Sequence, residues 1–253
     1  MKTFTRLWLT LALMFAAHGA HAVDAAAVNL AGEQRMLSQR IVKAWCQFNL
    51  NVQKDHSRAQ LAESVRRFES NLAALEKSAA SPEAATALAG LRAAWTPLRA
   101  SLQGEVRVPD AAMLDARAED VLMAAERLTR ILQDKADAPV SRWTNLAGRQ
   151  RMLSQRLVKI YMLRQMGVET PALREESEHI QNEFSGALAA MRVNASSPAL
   201  KAELDKLALQ WEWLHAVLAT EGAESFRLIM AEGGEAVLQL ADQVTRIYEQ
   251  SAP

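Results

Sequence analysis

Two arginines five residues apart, Arg35 and Arg40, lie in the stretch NLAGEQRMLSQR (Asn29–Arg40), and the same stretch returns as NLAGRQRMLSQR (Asn145–Arg156) with Arg151 and Arg156. The copies differ only at Glu33 against Arg149. A guanidinium presents planar, forked N–H donors, and that geometry matches a carboxylate or a small planar oxyanion. Two of them ~6 Å apart would repel by ~3 kcal/mol at an effective dielectric near 20, and an oxyanion between them reverses the sign. The chemistry these residues offer is therefore anion recognition.

On a helical wheel, Leu30, Leu37, Ile41 and Phe48 cluster within ~40° and are expected to face a core. Gly32, Arg35, Gln39 and Lys43 fall on another side, spread over ~80°. The second copy repeats that side with Gly148, Arg151, Gln155 and Lys159. A small residue among polar ones suits close approach of a second helix with a ligand between the two. Arg35, Arg151, Gly32, Gly148, Gln39 and Gln155 are the candidate ligand residues, with Arg40, Arg156, Glu33 and Arg149 as possible support. Helix–helix hydrogen bonding is the competing role for Gln39, Gln155, Ser38 and Ser154, and pairing with neighbouring carboxylates is the competing role for the arginines. Asn29 and Asn145 are read as residues near a helix start.

The repeat extends beyond the twelve-mers. At an offset of 116, Trp45 meets Tyr161, Phe68 meets Phe184, Ser81-Pro82 meets Ser197-Pro198, Trp95 meets Trp211, and Thr129-Arg130-Ile131 meets Thr245-Arg246-Ile247. This is the signature of a duplicated domain. Ten Gly and seven Pro are few for 253 residues, and the apolar spacing is helical. The first unit reads as helices over Val28 to about Val52, Arg58 to Ala79, Ser81-Pro82 to Gly104 with a kink at Pro97, and Pro109-Asp110 to about Asp134. A polar break at Gln53–Ser57 and a linker at Asp134–Ser141 separate the elements. The second unit repeats the scheme, with Thr170-Pro171 and Ser197-Pro198 as helix starts and Gly222 near the last turn. The expected fold is all-α: two tandem antiparallel four-helix bundles, residues 23–136 and 137–253, related by a pseudo-twofold. That symmetry would bring Arg35 and Arg151 together.

Residues 1–22 read as a secretory signal peptide. Lys2 and Arg6 form the charged start, Leu7–Ala17 the apolar run, and Ala20-His21-Ala22 the cleavage site. Its removal would leave 27 basic against 29 acidic residues in a periplasmic protein with no later transmembrane segment. The even balance excludes recruitment of nucleic acid by a global positive field. Cys46 is the single cysteine, so no internal disulfide forms, and beside Trp45 it reads as a small buried hydrophobe. Glu176-x-x-His179 has the spacing of half a di-iron site, but its counterparts are Gln60 and Glu63, and no metal, cofactor or catalytic constellation is expected.

The motif NLAG-x-QRMLSQR resembles the signature of PilJ-type sensor domains of type IV pilus chemoreceptors, and the related box of NarX-like nitrate/nitrite sensors. The resemblance implies an extracytoplasmic four-helix bundle in which Arg35 and Arg151 contact nitrate or nitrite across a dimer-like interface, here within one chain. It implies that Arg40 and Arg156 match the second arginine of the box, and Gly32 and Gly148 its glycine. Glu33 departs from the pattern. Opposite Arg149 it would either lock the two units together or lower the positive charge of the site. Members with known output carry transmembrane helices and a kinase or methyl-accepting region. This chain is expected to work instead through a partner such as a membrane-bound chemoreceptor or sensor kinase. The alternative is a non-enzymatic interaction module that docks a chemoreceptor or pilus component without a small ligand.

Overall fold

The computed structural model describes the backbone of residues 4–78, 81–102, 108–136, 139–218 and 224–250. Among them every element is helical: α1 (Phe4–Asn49), α2 (Lys54–Ser78), α3 (Pro82–Ser101), a 3-10 turn at Val108–Asp110, α4 (Ala111–Ala136), α5 (Pro139–Gln165), α6 (Pro171–Val193), α7 (Pro198–Leu218) and α8 (Glu224–Gln250). The helix starts follow from local chemistry. Ser81, Thr170 and Ser197 each accept a hydrogen bond from the backbone N–H three residues on, at 3.2, 3.2 and 3.1 Å. Each precedes a proline whose missing N–H costs nothing at that position.

Several boundaries differ from the sequence reading. The first break is Leu50–Gln53 rather than Gln53–Ser57, because Asn51 and Gln53 take left-handed φ of 56° and 44° and reverse the chain there. The matching position in the second unit is Gly167, with φ 85°. α3 ends at Ser101 with Leu102 as its cap, and Gly104 and Gly222 lie outside the described residues. The expected linker Asp134–Ser141 is largely helical, since α4 runs to Ala136 and α5 begins at Pro139. The signal-peptide expectation for residues 1–22 rests on side chains outside the described residues.

Helices α1–α4 pack in a ring, as do α5–α8, and α1 lies along α5 to join them. One continuous apolar core runs through both sets. Each ring carries a stacked aromatic pair between its second and third helices, Phe68 on Trp95 at 4.1 Å and Phe184 on Trp211 at 3.9 Å. With neighbours on three sides, α1 is buried almost all round over residues 27–47. Gln34 is fully buried there and donates to the Phe68 carbonyl at 3.0 Å. Leu30 is partly buried and packs against the core as the wheel expects, whereas the Phe48 ring is covered by Lys54 and Arg58.

Candidate functional site

The polar side of α1 and its copy on α5 face each other in the interior. Arg35, Gln39, Lys43, Gln155 and Lys159 are fully buried and Arg151 is 2 % exposed. A Cβ built on Gly148 would lie 3.2 Å from Arg151 Nη2 and 3.8 Å from Arg35 Nη2, so those two nitrogens are at most about 7 Å apart. Gly32 stands 3.0 Å from Arg35 Nη2 by the same construction. The two glycines leave the room that the guanidinium tips occupy.

Both arginines have partners on either side. Arg35 donates to Glu126 of α4 at 2.7 Å and to Asn145 Oδ1 of α5 at 2.6 Å. Arg151 donates to Asp242 of α8 at 2.9 Å and to Asn29 Oδ1 of α1 at 2.6 Å. The two asparagines are thus not helix-start residues. Their helices begin well before them, and their amides bridge from one ring to the arginine of the other. Each amide is anchored in turn, Asn29 to Glu249 at 2.9 Å and Asn145 to Gln133. Burial lowers the pKa of Arg35, Glu126 opposes it, and the nearby charges of Arg149 and Arg151 add to the lowering. Burial raises Glu126, but Arg35 and then Arg149 outweigh it and hold the carboxyl below its ordinary value.

Glu33 and Arg149 do not lock to each other. Glu33 pairs with Arg67 and accepts from Asn71 at 2.7 Å, both on α2. Arg149 pairs with Glu183 on α6 and reaches Glu126 at 3.3 Å. Glu33 turns outward from the α1–α5 seam to α2, whereas Arg149 spans from Glu183 of α6 to Glu126 of α4, the carboxylate that also holds Arg35. Gln39 and Gln155 donate to the carbonyls of Ala118 and Gly234 at 3.4 and 3.2 Å, and the Oε1 of each is buried without a hydrogen bond.

One turn further along, the arginines of the second position cross the junction. Arg40 meets Glu235 of α8 at 2.6 Å, and Lys43 meets the same carboxylate. Arg156 and Lys159 meet Glu119 of α4 at 2.5 and 2.6 Å. Sequence reading missed these acids. The available signal was the repeat itself, since Glu119 and Glu235 are 116 apart, as are Glu126 and Asp242. Glu176 pairs with Arg156 at 2.7 Å and His179 is 76 % exposed at its side chain, so that pair joins a salt bridge and a surface rather than one site. Cys46 is fully buried, and burial pushes its thiol well above the ordinary range.

Paired helical rings joined along an arginine-bearing seam make this an all-α helical-bundle protein. Residues 22–130 match the PilJ family, described as Type IV pili methyl-accepting chemotaxis transducer N-term. The matched residues hold the first twelve-mer, α2, α3 and most of α4. The family description attaches such domains to chemotaxis signalling. No curated protein and no solved structure matches the chain. Among the described residues, no helix is long and apolar enough to cross a membrane.

Proposed function

We propose that this protein is a periplasmic sensory module whose α1–α5 seam recognises a small oxyanion, nitrate or nitrite by the family resemblance, and reports occupancy to a membrane-bound chemoreceptor or sensor kinase. The supporting observation is that Arg35 and Arg151 share one buried locality and each spends its Nη2 on an amide oxygen from the opposite ring. Those two amide oxygens are the acceptors that an oxyanion would replace. One anion taking both Nη2 donors would offset the ~2 kcal/mol of repulsion between the guanidiniums and release Asn29 and Asn145 from their bridges. The seam then has two arrangements that differ in which groups tie α1 to α5, as a ligand-driven switch requires.

Isothermal titration with nitrate and nitrite tests this on the unaltered protein, Arg35→Ala, Arg151→Ala and Asn145→Asp. The last variant puts a built-in carboxylate on Arg35 without removing a buried cation. Heat of binding in the parent that disappears in all three is the expected result, and binding that survives in them removes the arginines from the mechanism. A second reading, an interaction module that docks a chemoreceptor or pilus component, is favoured by one observation. Glu126 and Asp242 already neutralise the two arginines. It predicts a crosslinked protein partner and no heat with either anion.

A further inference from the structure

The two rings treat the same pair of cations differently. In the second, Arg156 and Lys159 are surrounded by three carboxylates: Glu119, Asp115 at 2.5 Å from Lys159 Nζ, and Glu176 at 2.7 Å from Arg156 Nε. In the first, Arg40 and Lys43 share Glu235 as their one ion-pair partner among the described residues. The positions 116 away from Glu176 and Asp115 are Gln60 and Ala231. Neither Arg40 Nε nor Arg156 Nε makes a hydrogen bond, but Arg156 Nε has the Glu176 carboxylate 2.7 Å away. Burial carries Lys43 down to about 8 against the pull of Glu235, whereas Asp115 and Glu119 together overcome the burial of Lys159 and hold it above its ordinary value.

A cleft of about 380 Å³ opens between α1, α2 and α8, lined by Arg40 and Glu235 of this cluster but not by the fully buried Lys43. Its walls include Arg40, Gln47, Ser57, Gln60, Ala231 and Glu235. The buried lining is rich in neutral hydrogen-bonding groups, with Gln47 3 % and Ser57 2 % exposed. Glu232 stands at the rim, held by Gln53 at 2.8 Å, and His56 also faces the cleft.

We infer that this cleft binds a short dicarboxylate, one carboxylate lying against Arg40 where Glu176 lies against Arg156, the other beside Ala231 where Asp115 stands in the second ring. The bound acid would supply the two negative charges that the second ring carries in its own sequence. The side-chain amides of Gln47 and Gln60, which line the cleft, carry N–H donors for its oxygens. Glu235 stays on Arg40 and Lys43, so the ligand completes the cluster rather than displacing a carboxylate. This site is separate from the Arg35–Arg151 seam and does not depend on the function proposed for it.

Succinate and acetate, titrated calorimetrically into the full chain, are the probes. Succinate is expected to bind once per chain and at least tenfold more tightly than acetate, since a charge-assisted hydrogen bond is worth more than a factor of ten. Gln60→Glu, which builds in the second ring's own acid, should weaken succinate at least tenfold and raise the melting temperature without ligand. Glu176→Gln should recreate half of the opening around Arg156 and add a weak second equivalent of succinate. Asn145→Asp should leave succinate binding as it was, which separates this site from the seam. No succinate binding at millimolar concentration, equal affinity for acetate, or full affinity in Gln60→Glu would each overturn the proposal.

Discussion

Neutralising Glu235 should cost the protein more than neutralising Glu119, although the two occupy matching places. Glu235 is the carboxylate paired with Lys43, whose side chain is fully buried, and it also holds Arg40. Glu119 shares its work: Lys159 keeps Asp115 and Arg156 keeps Glu176 when Glu119 is removed. Holding the Lys43 ammonium at about 8 against an ordinary 10.5 already costs about 3 kcal/mol at pH 7, and giving up its proton altogether costs about 5 kcal/mol, at 1.36 kcal/mol per pH unit. Deprotonation therefore limits the further loss at Lys43 to about 1.5 kcal/mol. Losing the partly exposed Arg40 pair adds about 1 kcal/mol, so Glu235→Gln should destabilise by roughly 2–3 kcal/mol and Glu119→Gln by about 1 kcal/mol.

The sign of the pH dependence separates this account from simple loss of packing. Lys43 is depressed in the folded protein, so above about 8 the unfolded chain binds a proton that the folded one has released, and stability from this residue rises with pH towards 10.5. In Glu235→Gln the depression is deeper and the rise starts at lower pH. By pH 9 Lys43 is largely neutral in both proteins, and its share of the deficit is gone. Urea denaturation at pH 7 and pH 9 should show the Glu235→Gln deficit shrinking by about 1 kcal/mol, with little change for Glu119→Gln. Equal losses for the two variants, or a Glu235→Gln deficit unchanged at pH 9, would refute the reasoning.

Two further outcomes follow from packing and capping. A Cβ on Gly234 would fall 2.5 Å from Val158 Cγ2, so Gly234→Ala should lose about 1–3 kcal/mol by overpacking α8 on α5, despite the better helix propensity of alanine. Equilibrium denaturation would show it, and a stabilised variant would contradict the close approach. Thr170→Ala removes the hydroxyl that accepts from the Leu173 N–H and should cost about 1 kcal/mol, visible as faster amide exchange confined to the first turn of α6.

The all-helical class and the proline-led starts were legible because each depends on residues close in sequence or on one repeated spacing, whereas the aromatic stacks showed only as repeated positions, Phe68 with Phe184 and Trp95 with Trp211. What the wheel could not supply was the environment of α1. It assigns a side chain to a face, and it reads a polar face as solvent or ligand unless another helix is known to lie there. Gln34 is buried where it donates to the Phe68 carbonyl of α2, and Lys43 where it meets Glu235 of α8. The same limit explains Asn29, which looked like a cap and turned out to bridge to Arg151 from inside a longer helix. Glu126 and Asp242 were invisible as partners because each sits among other charged residues on its helix. Only the three-dimensional pairing selects them.

The near-identity of the two twelve-mers has a physical consequence for where the halves may differ. α1 and α5 pack on each other, so each arginine must satisfy both its own ring and the opposite one: Arg35 reaches Glu126 and Asn145, while Arg40 reaches Glu235. A change within the twelve-mer would disturb contacts on both sides at once, and at the one difference, Glu33 against Arg149, each residue has a partner of opposite charge on its own ring's second helix, with Arg149 also reaching Glu126 across the seam. Divergence is easier on the surrounding helices, where Gln60 stands for Glu176 and Ala231 for Asp115. Each of those exchanges removes a carboxylate and leaves the cation in place. Buried ion pairs contribute little net stability but strongly penalise any arrangement that leaves a charge alone. The seam is therefore held in one register by its shared arginines, and the unequal supply of acids around it concentrates the unmatched positive charge on the Arg40 side.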